Sequence, residues 1–350
     1  MVIARAPVRI SFAGGGTDLE AFYAHFGGLV VSAAITRYCY AIARPSANDG
    51  IQITSADYQQ WETFPRGVVP EVEGELTLPK AVIEWFALRG LLDDGVDLFL
   101  ASSIPPGTGL GSSSAMTVAL VRALAAFTGC RMTPAEVAEL ACELEIDRLG
   151  MPIGKQDQYA SAYGGINAIH FNPDAVQVEP IDLTPGQLSE LNAHLLLFST
   201  GQSRNSASIL RQQRADTSRK KPQVSDSLTQ LKSTAMELRE ELLNGSTSEL
   251  GRLLHQGWLQ KKRLSRMISS DDIDRWYELA RTHGAEGGKI TGAGGGGFML
   301  LYCAPERHAD VRAALAPEGL REMTFGFDLS GACEMTEFDP AQPALAVSHD

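Results

Sequence analysis

The sequence predicts an α+β protein built as two domains, residues 1–185 and 186–350. Three observations lead there. The chain has 350 residues, 44% of them hydrophobic, enough to bury a sizeable core. Its strand-like and helix-like stretches come in mixed order, without the strict alternation of a doubly wound sheet. No stretch repeats another, which excludes a solenoid.

In chain order, Val8, Ile10 and Phe12 alternate with Arg9, Ser11 and Ala13. This period of two predicts a strand with an apolar face and a face carrying Arg9. GGGTD at 14–18 ends it, and LVVSAAI and YCYAIARP predict a pair of strands over 29–45. Residues 46–79 are mixed; a helix is expected near 79–90 and a strand over 96–104. From Ser114, Met116, Leu120, Ala123, Leu124 and Phe127 keep helical spacing until Gly129. Thr133-Pro134-Ala135-Glu136 reads as a capping box opening a helix that reaches about Leu149. A glycine-rich loop over 150–165 then leads to the strand INAIHF.

The second half opens with a strand at 194–200. Helical patterns follow over 204–244, broken near Pro222, then over 246–268 and 272–283. GGKITGAGGGGFMLLYC reads as a glycine loop feeding a strand, and MTFGFDLSGACEMT, 323–336, as a last strand before a mobile tail.

Thirty basic against 42 acidic residues give a net charge of −12. That argues against nucleic acid or an anionic membrane as the main partner. An anionic ligand would then need positive charge concentrated locally or brought by a metal. The five cysteines (Cys39, Cys130, Cys142, Cys303, Cys333) are scattered without a CxxC pair, which predicts buried thiols in a reducing compartment. No run approaches the roughly 18 apolar residues of a membrane span, and the start lacks secretory features. A soluble, cytoplasmic location is expected.

SSIPPGTGLGSSSAM, 102–116, combines Gly107, Gly109 and Gly111 with Ser112, Ser113 and Ser114 just ahead of a helix. Glycines let a backbone approach a ligand closely, and a helix N-terminus offers free N–H groups with partial positive charge. The loop therefore suits a polyphosphate. The lysine of GxxxxGK[ST] is absent, so this is not a P-loop. GAGGGG at 292–297 precedes a strand rather than following one, a poor fit to a dinucleotide fold. From 202 to 221 six basic residues (Arg204, Arg211, Arg214, Arg219, Lys220, Lys221) face one acid, Asp216, reversing the overall charge. Arg204, directly after a strand and Gly201, is the candidate for a ligand phosphate. Trp61, Trp85 and Trp258 read as packing rather than as adenine stackers.

PPGTGLGSSSA resembles the second signature motif of the GHMP kinases, APVRISFAGGGTD at 6–18 their first and KITGAGGGGFMLL at 289–301 their third. All three stand in family order across most of the chain. The resemblance implies the GHMP kinase fold, with an active site in the cleft between two domains, and ATP and Mg²⁺ as cofactors. GGGTDLEAFY, GKQDQYASAYGG and FSTGQSRNSASIL are most similar to sugar-1-kinases acting on D-glycero-D-manno-heptose 7-phosphate, with L-fucokinase nearby.

By that resemblance Pro106, Gly107, Gly109, Leu110, Gly111 and Ser112–Ser114 hold the nucleotide, and Ser113 or Ser114 joins a helix carboxylate on the metal. Counting from Gly150, that carboxylate is Glu145, with Glu143 its competitor. Asp157 matches the catalytic aspartate, and Arg9 the basic residue beside it, which stabilises charge on the phosphoryl group. Lys155 is a second candidate for that role. The substrate side takes in Gly15, Gly16, Thr17, Asp18, Gln156, Gly294, Gly295 and Arg204. Galactokinases carry a Glu-His pair before the aspartate, where this chain has Gly15-Gly16; that implies more room and puts galactose in doubt. The expected partner is a small sugar phosphate, with at most a second copy of the chain in a homodimer. The rivals are a kinase for an unphosphorylated sugar and a non-catalytic sugar and nucleotide sensor, the latter disfavoured by Asp157 and Arg9.

Overall fold

The computed structural model describes residues 1–92, 95–202, 206–219 and 221–335. β1 (Val2–Ala13) starts ahead of the alternation at Val8. After α1 (Glu20–Phe26) comes β2 (Gly28–Pro45), so the strand pair predicted over 29–45 is one continuous strand. Thr36 and Arg37 bulge out of it, because Pro7 pairs with Tyr38 and Val8 with Ile35. That break holds no turn residue, and a bulge bends a strand without ending it. The mixed region contains the hairpin of β3 (Ile51–Ser55) and β4 (Gln60–Phe64).

α2 (Thr77–Ala87), β5 (Val96–Ser102), α3 (Ser112–Thr128) and α4 (Pro134–Cys142) follow. The capping box forms at Thr133 and Glu136. Beyond Cys142 the helix widens into a π turn, Glu143–Arg148. The loop predicted over 150–165 contains a helix, α5 (Gln156–Tyr163). It buries the polar Gln158 and Ser161 beside Tyr159 and Ala160, so its inner face lacks the apolar stripe that marks a helix in sequence. β6 (Ile166–Phe171), β7 (Val176–Pro180) and α6 (Pro185–Ala193) lead to β8 (Leu195–Ser199). Then come α7 (Ser206–Ser218), α8 (Pro222–Leu243), α9 (Leu250–Lys262), α10 (Asp271–Thr282), β9 (Ala285–Ile290) and β10 (Phe298–Cys303). α11 (His308–Leu315), β11 (Arg321–Glu322) and β12 (Cys333–Glu334) close the described chain.

Two predicted features change here. Gly287 and Gly288 lie inside β9 rather than in a loop, because α9 packs directly on that strand. A Cβ on Gly287 would stand 1.8 Å from the Gly251 carbonyl oxygen. Nor is 323–335 one continuous strand: only the short β12 pairs with β1, and the residues before it run irregularly along the first sheet, pinned where Asp328 accepts from Tyr38 Oη (2.9 Å) and from Gly331 N–H (2.7 Å). The expected tail lies outside the described residues.

The first sheet has the order β12-β1-β2-β5-β3-β4, with β6 also on β2 and β7 beside β6. The second, antiparallel sheet is β11-β8-β10-β9. One apolar cluster joins the first sheet to α2–α5. Another contains Val8 and Ile10 of β1, Leu238 of α8, Leu254 of α9 and Leu300 of β10, so it bonds the two halves together. The five cysteines are free thiols. Among the described residues no helix is long and apolar enough to cross a membrane.

Candidate active site

The three glycine loops meet at one point. A Cβ on Gly109 would lie 2.7 Å from the Thr291 carbonyl oxygen, and one on Gly111 2.9 Å from the Asp157 carboxylate. Both glycines have positive φ, +80° and +77°, which L side chains rarely adopt. The glycines that suit the loop to phosphate thus also let the third loop and α5 close on it. α3 starts at Ser112 with no side chain capping its first turn, leaving those N–H groups for a ligand.

Arg9 points from β1 into this junction. Its Nε donates to Asp157 Oδ1 at 2.8 Å, a second guanidinium nitrogen lies 2.6 Å from the same oxygen, and Nη1 donates to the Gly109 carbonyl at 2.9 Å. Asp157 stands in the first turn of α5, its side chain 22% exposed beside an arginine side chain only 4% exposed. Asp18 is buried opposite, accepting from Gly16 N–H (2.8 Å) and Gln156 N–H (3.4 Å). Burial first, then the nearby Asp157, push its carboxyl above the usual range despite those backbone donors.

The π turn settles which glutamate faces the loop: Glu143 is exposed and Glu145 fully buried. Ser113 Oγ donates to Glu145 Oε1 at 3.3 Å and Gln158 Nε2 to Oε2 at 2.6 Å. Burial raises its pKa to about 7, with Asp157 adding to the rise, while hydroxyls and the Gln158 amide oppose it. Its partners are neutral donors without a cation, and a buried carboxylate in that setting fits a metal ion. Among the described residues no group of three His, Cys, Asp or Glu gathers. Mg²⁺ commonly takes one or two protein ligands and completes its shell with water and phosphates.

A cavity of about 220 Å³ contains Arg9, Gly15, Gly16, Asp18, Gly107, Gly109, Gly111, Ser112–Ser114, Gln156 and Asp157 in its wall. A second, of about 600 Å³, shares Gly107, Ser112 and Ser113 and runs past Pro106 to Tyr58, Leu76 and Leu78. Other candidates stand elsewhere. Thr17 is buried and donates to Gly14 and Leu29 carbonyls, fixing the turn of the first loop. Leu110 is core, its carbonyl accepting from Arg9 N–H. The Lys155 ammonium lies 3.5 Å from Glu139 and does not line the cavity. Gly294 packs on Ile268, and Gly295 donates to the Ile268 carbonyl. Arg204 and Lys220 lie outside the described residues. None of the three tryptophans lines either cavity: Trp258 is fully buried, Trp85 packs on Phe86 and Trp61 is exposed.

Among the lining residues that the sequence did not single out are Ser11 of β1, Lys261 of α9 and Gln213 of α7. Lys261 carried a usable signal. It falls on the helical face of Leu250, Leu254 and Trp258, where a lysine is out of place. Gln213 carried none, since α7 is polar on most of its surface.

Two family models match, the GHMP kinases N terminal domain over residues 77–165 and GHMP kinases C terminal over 238–318. The chain is 30% identical over 332 residues to a D-glycero-alpha-D-manno-heptose 7-phosphate kinase of Campylobacter jejuni, covering 93% of this chain and 96% of that one. It is 28% identical to the bifunctional fucokinase/GDP-fucose pyrophosphorylase of Arabidopsis thaliana over 88% of this chain, but spans only 30% of that protein. A solved D-glycero-D-manno-heptose 1-phosphate kinase from Bacteroides thetaiotaomicron superposes with a TM-score of 0.82 at 28% identity, covering 97% of this chain and 100% of its own.

Proposed function

The chain belongs to the GHMP kinase family, and on that premise we propose that it transfers the γ-phosphoryl group of ATP to the anomeric hydroxyl of D-glycero-D-manno-heptose 7-phosphate, giving the 1,7-bisphosphate for nucleotide-activated heptose. The observation that carries this reading is one cavity bringing together the phosphate loop, the Arg9–Asp157 pair and polar groups with no partner. Ser11 Oγ, Gln156 Oε1 and Gln213 Nε2 are buried and unpaired in residues that line it. Buried polar atoms need hydrogen bonds, and a polyhydroxylated ligand supplies them.

In this account the loop N–H groups hold the nucleotide phosphates, and the larger cavity takes the base and ribose. Glu145 with Ser113 or Ser114 would hold Mg²⁺, which when bound neutralises charge on those phosphates. Asp157 orients the acceptor hydroxyl and takes its proton. Arg9 fixes Asp157 and faces the phosphoryl group. Asp18 and Gln156 receive sugar hydroxyls. We assign the nucleotide side to an N-terminal domain, 1–185, and the third loop to a C-terminal domain, 186–350.

The two heptose-kinase names place the resident phosphate on different carbons, 7 and 1, so the acceptor hydroxyl rests on this proposal alone. The fucokinase match favours a second reading, transfer to an unphosphorylated sugar. A sugar panel assayed with and without the terminal phosphate decides between them. The account expects heptose 7-phosphate to be turned over far better than free heptose or L-fucose. Equal turnover of the unphosphorylated heptose removes the phosphate site, and Arg204 with it.

A further inference from the structure

The phosphate loop has no lysine, and Arg9 is largely engaged: three of its N–H donors go to Asp157 and the Gly109 carbonyl. Two other lysines are buried near this junction. Lys289 of β9 donates to the carbonyls of Ser11 (2.7 Å) and Phe12 (3.3 Å) and does not line the cavity, so it braces β1. Lys261 does line it, only 6% exposed. Its ammonium donates to the Gly292 carbonyl, and a Cβ on Gly15 would lie 4.0 Å from its Nζ. An ammonium carries three N–H donors, and one is used here.

Resting on the kinase reading above, we propose that Lys261 is a catalytic cation of the transfer: α9 delivers its ammonium from the C-terminal half onto the transferred phosphoryl group, in place of the lysine the phosphate loop lacks. The bond from the γ-phosphorus to its bridging oxygen breaks, and the electron pair leaves on ADP. The acceptor oxygen forms the new bond, and its proton goes to Asp157. Lys261 transfers no proton; it holds the charge that spreads over the phosphoryl oxygens.

The charges around it support this placement. Lys261 is faced by Arg9 of β1, Asp157 of α5, Asp18 of the first loop and Lys289 of β9. Two carboxylates and two cavity-lining cations balance before any phosphate arrives. Burial first, then Arg9, lower the Lys261 pKa to about 8 against the pull of the two aspartates. A buried lysine is costly to keep, and a ligand phosphate is the partner that its spare donors lack.

The test compares Lys261→Met and Lys261→Arg in the full chain, assayed on whichever sugar the wild type phosphorylates. Methionine matches the volume, so Lys261→Met is expected to melt no lower than wild type. Its kcat should fall about 10²- to 10³-fold, the usual cost of one transition-state donor, with the sugar KM little changed. Lys261→Arg should recover part of that loss. It should also lack the fall in kcat/KM expected of the wild type above about pH 8, because guanidinium stays charged. A folded Lys261→Met with unchanged kcat overturns the proposal, as does a loss confined to the sugar KM, which places the lysine on the sugar. The heptose reading fails separately, when the wild type leaves every heptose phosphate untouched while phosphorylating another sugar, and the kinase reading fails when it phosphorylates no sugar at all.

Discussion

Glu145 is a fully buried carboxylate whose partners are Ser113 and Gln158, and its pKa of about 7 against an ordinary 4.5 ties stability to pH. Between those values the folded protein keeps a proton that the unfolded chain has released. The stability this carboxyl contributes is therefore full below pH 4.5 and lost as the pH rises through 7, a change of ~3 kcal/mol. Without metal, Glu145→Gln should melt above wild type at pH 8, with the gap closing toward pH 4.5. Mg²⁺ with nucleotide should raise the wild-type Tm more than that of the variant. Calorimetry across pH checks both, and a gap that ignores pH contradicts the assignment. At Asp157, the Asn variant should bind ATP with unchanged affinity by titration calorimetry while kcat falls about 10²- to 10⁴-fold. Most of these residues were legible from motif spacing. Lys261 was not: it sits far from any glycine motif, and only the packing of α9 brings it to the site.

Gly287, in the strand β9, sets how closely α9 sits on its sheet, and α9 carries Lys261. Gly287→Ala puts a methyl group into the Gly251 backbone, so α9 must move. A cost of about 1–3 kcal/mol is expected from overpacking, with turnover falling by more than that loss of stability explains. Gly186→Ala is the control. It meets nothing within 4 Å, stands in the first turn of α6 and should be neutral or slightly stabilising. Chemical denaturation and kcat of both variants test the pair. At this scale the sequence was a partial guide. Strands with alternating burial and helices with caps were readable. β9 was masked by glycines that serve packing, α5 by its buried polar residues, and β2 by a bulge that a period of two interprets as a break.

Across the whole molecule, the apolar cluster linking β1, α8, α9 and β10 makes the two halves interdependent. A single cooperative unfolding transition is expected, raised by ATP, and a fragment of residues 1–185 should not fold alone, since Val8 and Ile10 would lose their cover. Two resolved calorimetric transitions would contradict this. The same arrangement explains why the site was readable in outline and only partly in charge: the first motif carries Arg9, while Lys261 comes from a helix more than two hundred residues away. The central claim is transfer of phosphate from ATP to the anomeric oxygen of a heptose 7-phosphate. Phosphorus NMR of that reaction tests it most directly. The account predicts a new phosphate resonance coupled to the anomeric proton, with the 7-phosphate retained and ADP formed in equal amount. A new phosphate on any other carbon, or ADP formed without one, would contradict it.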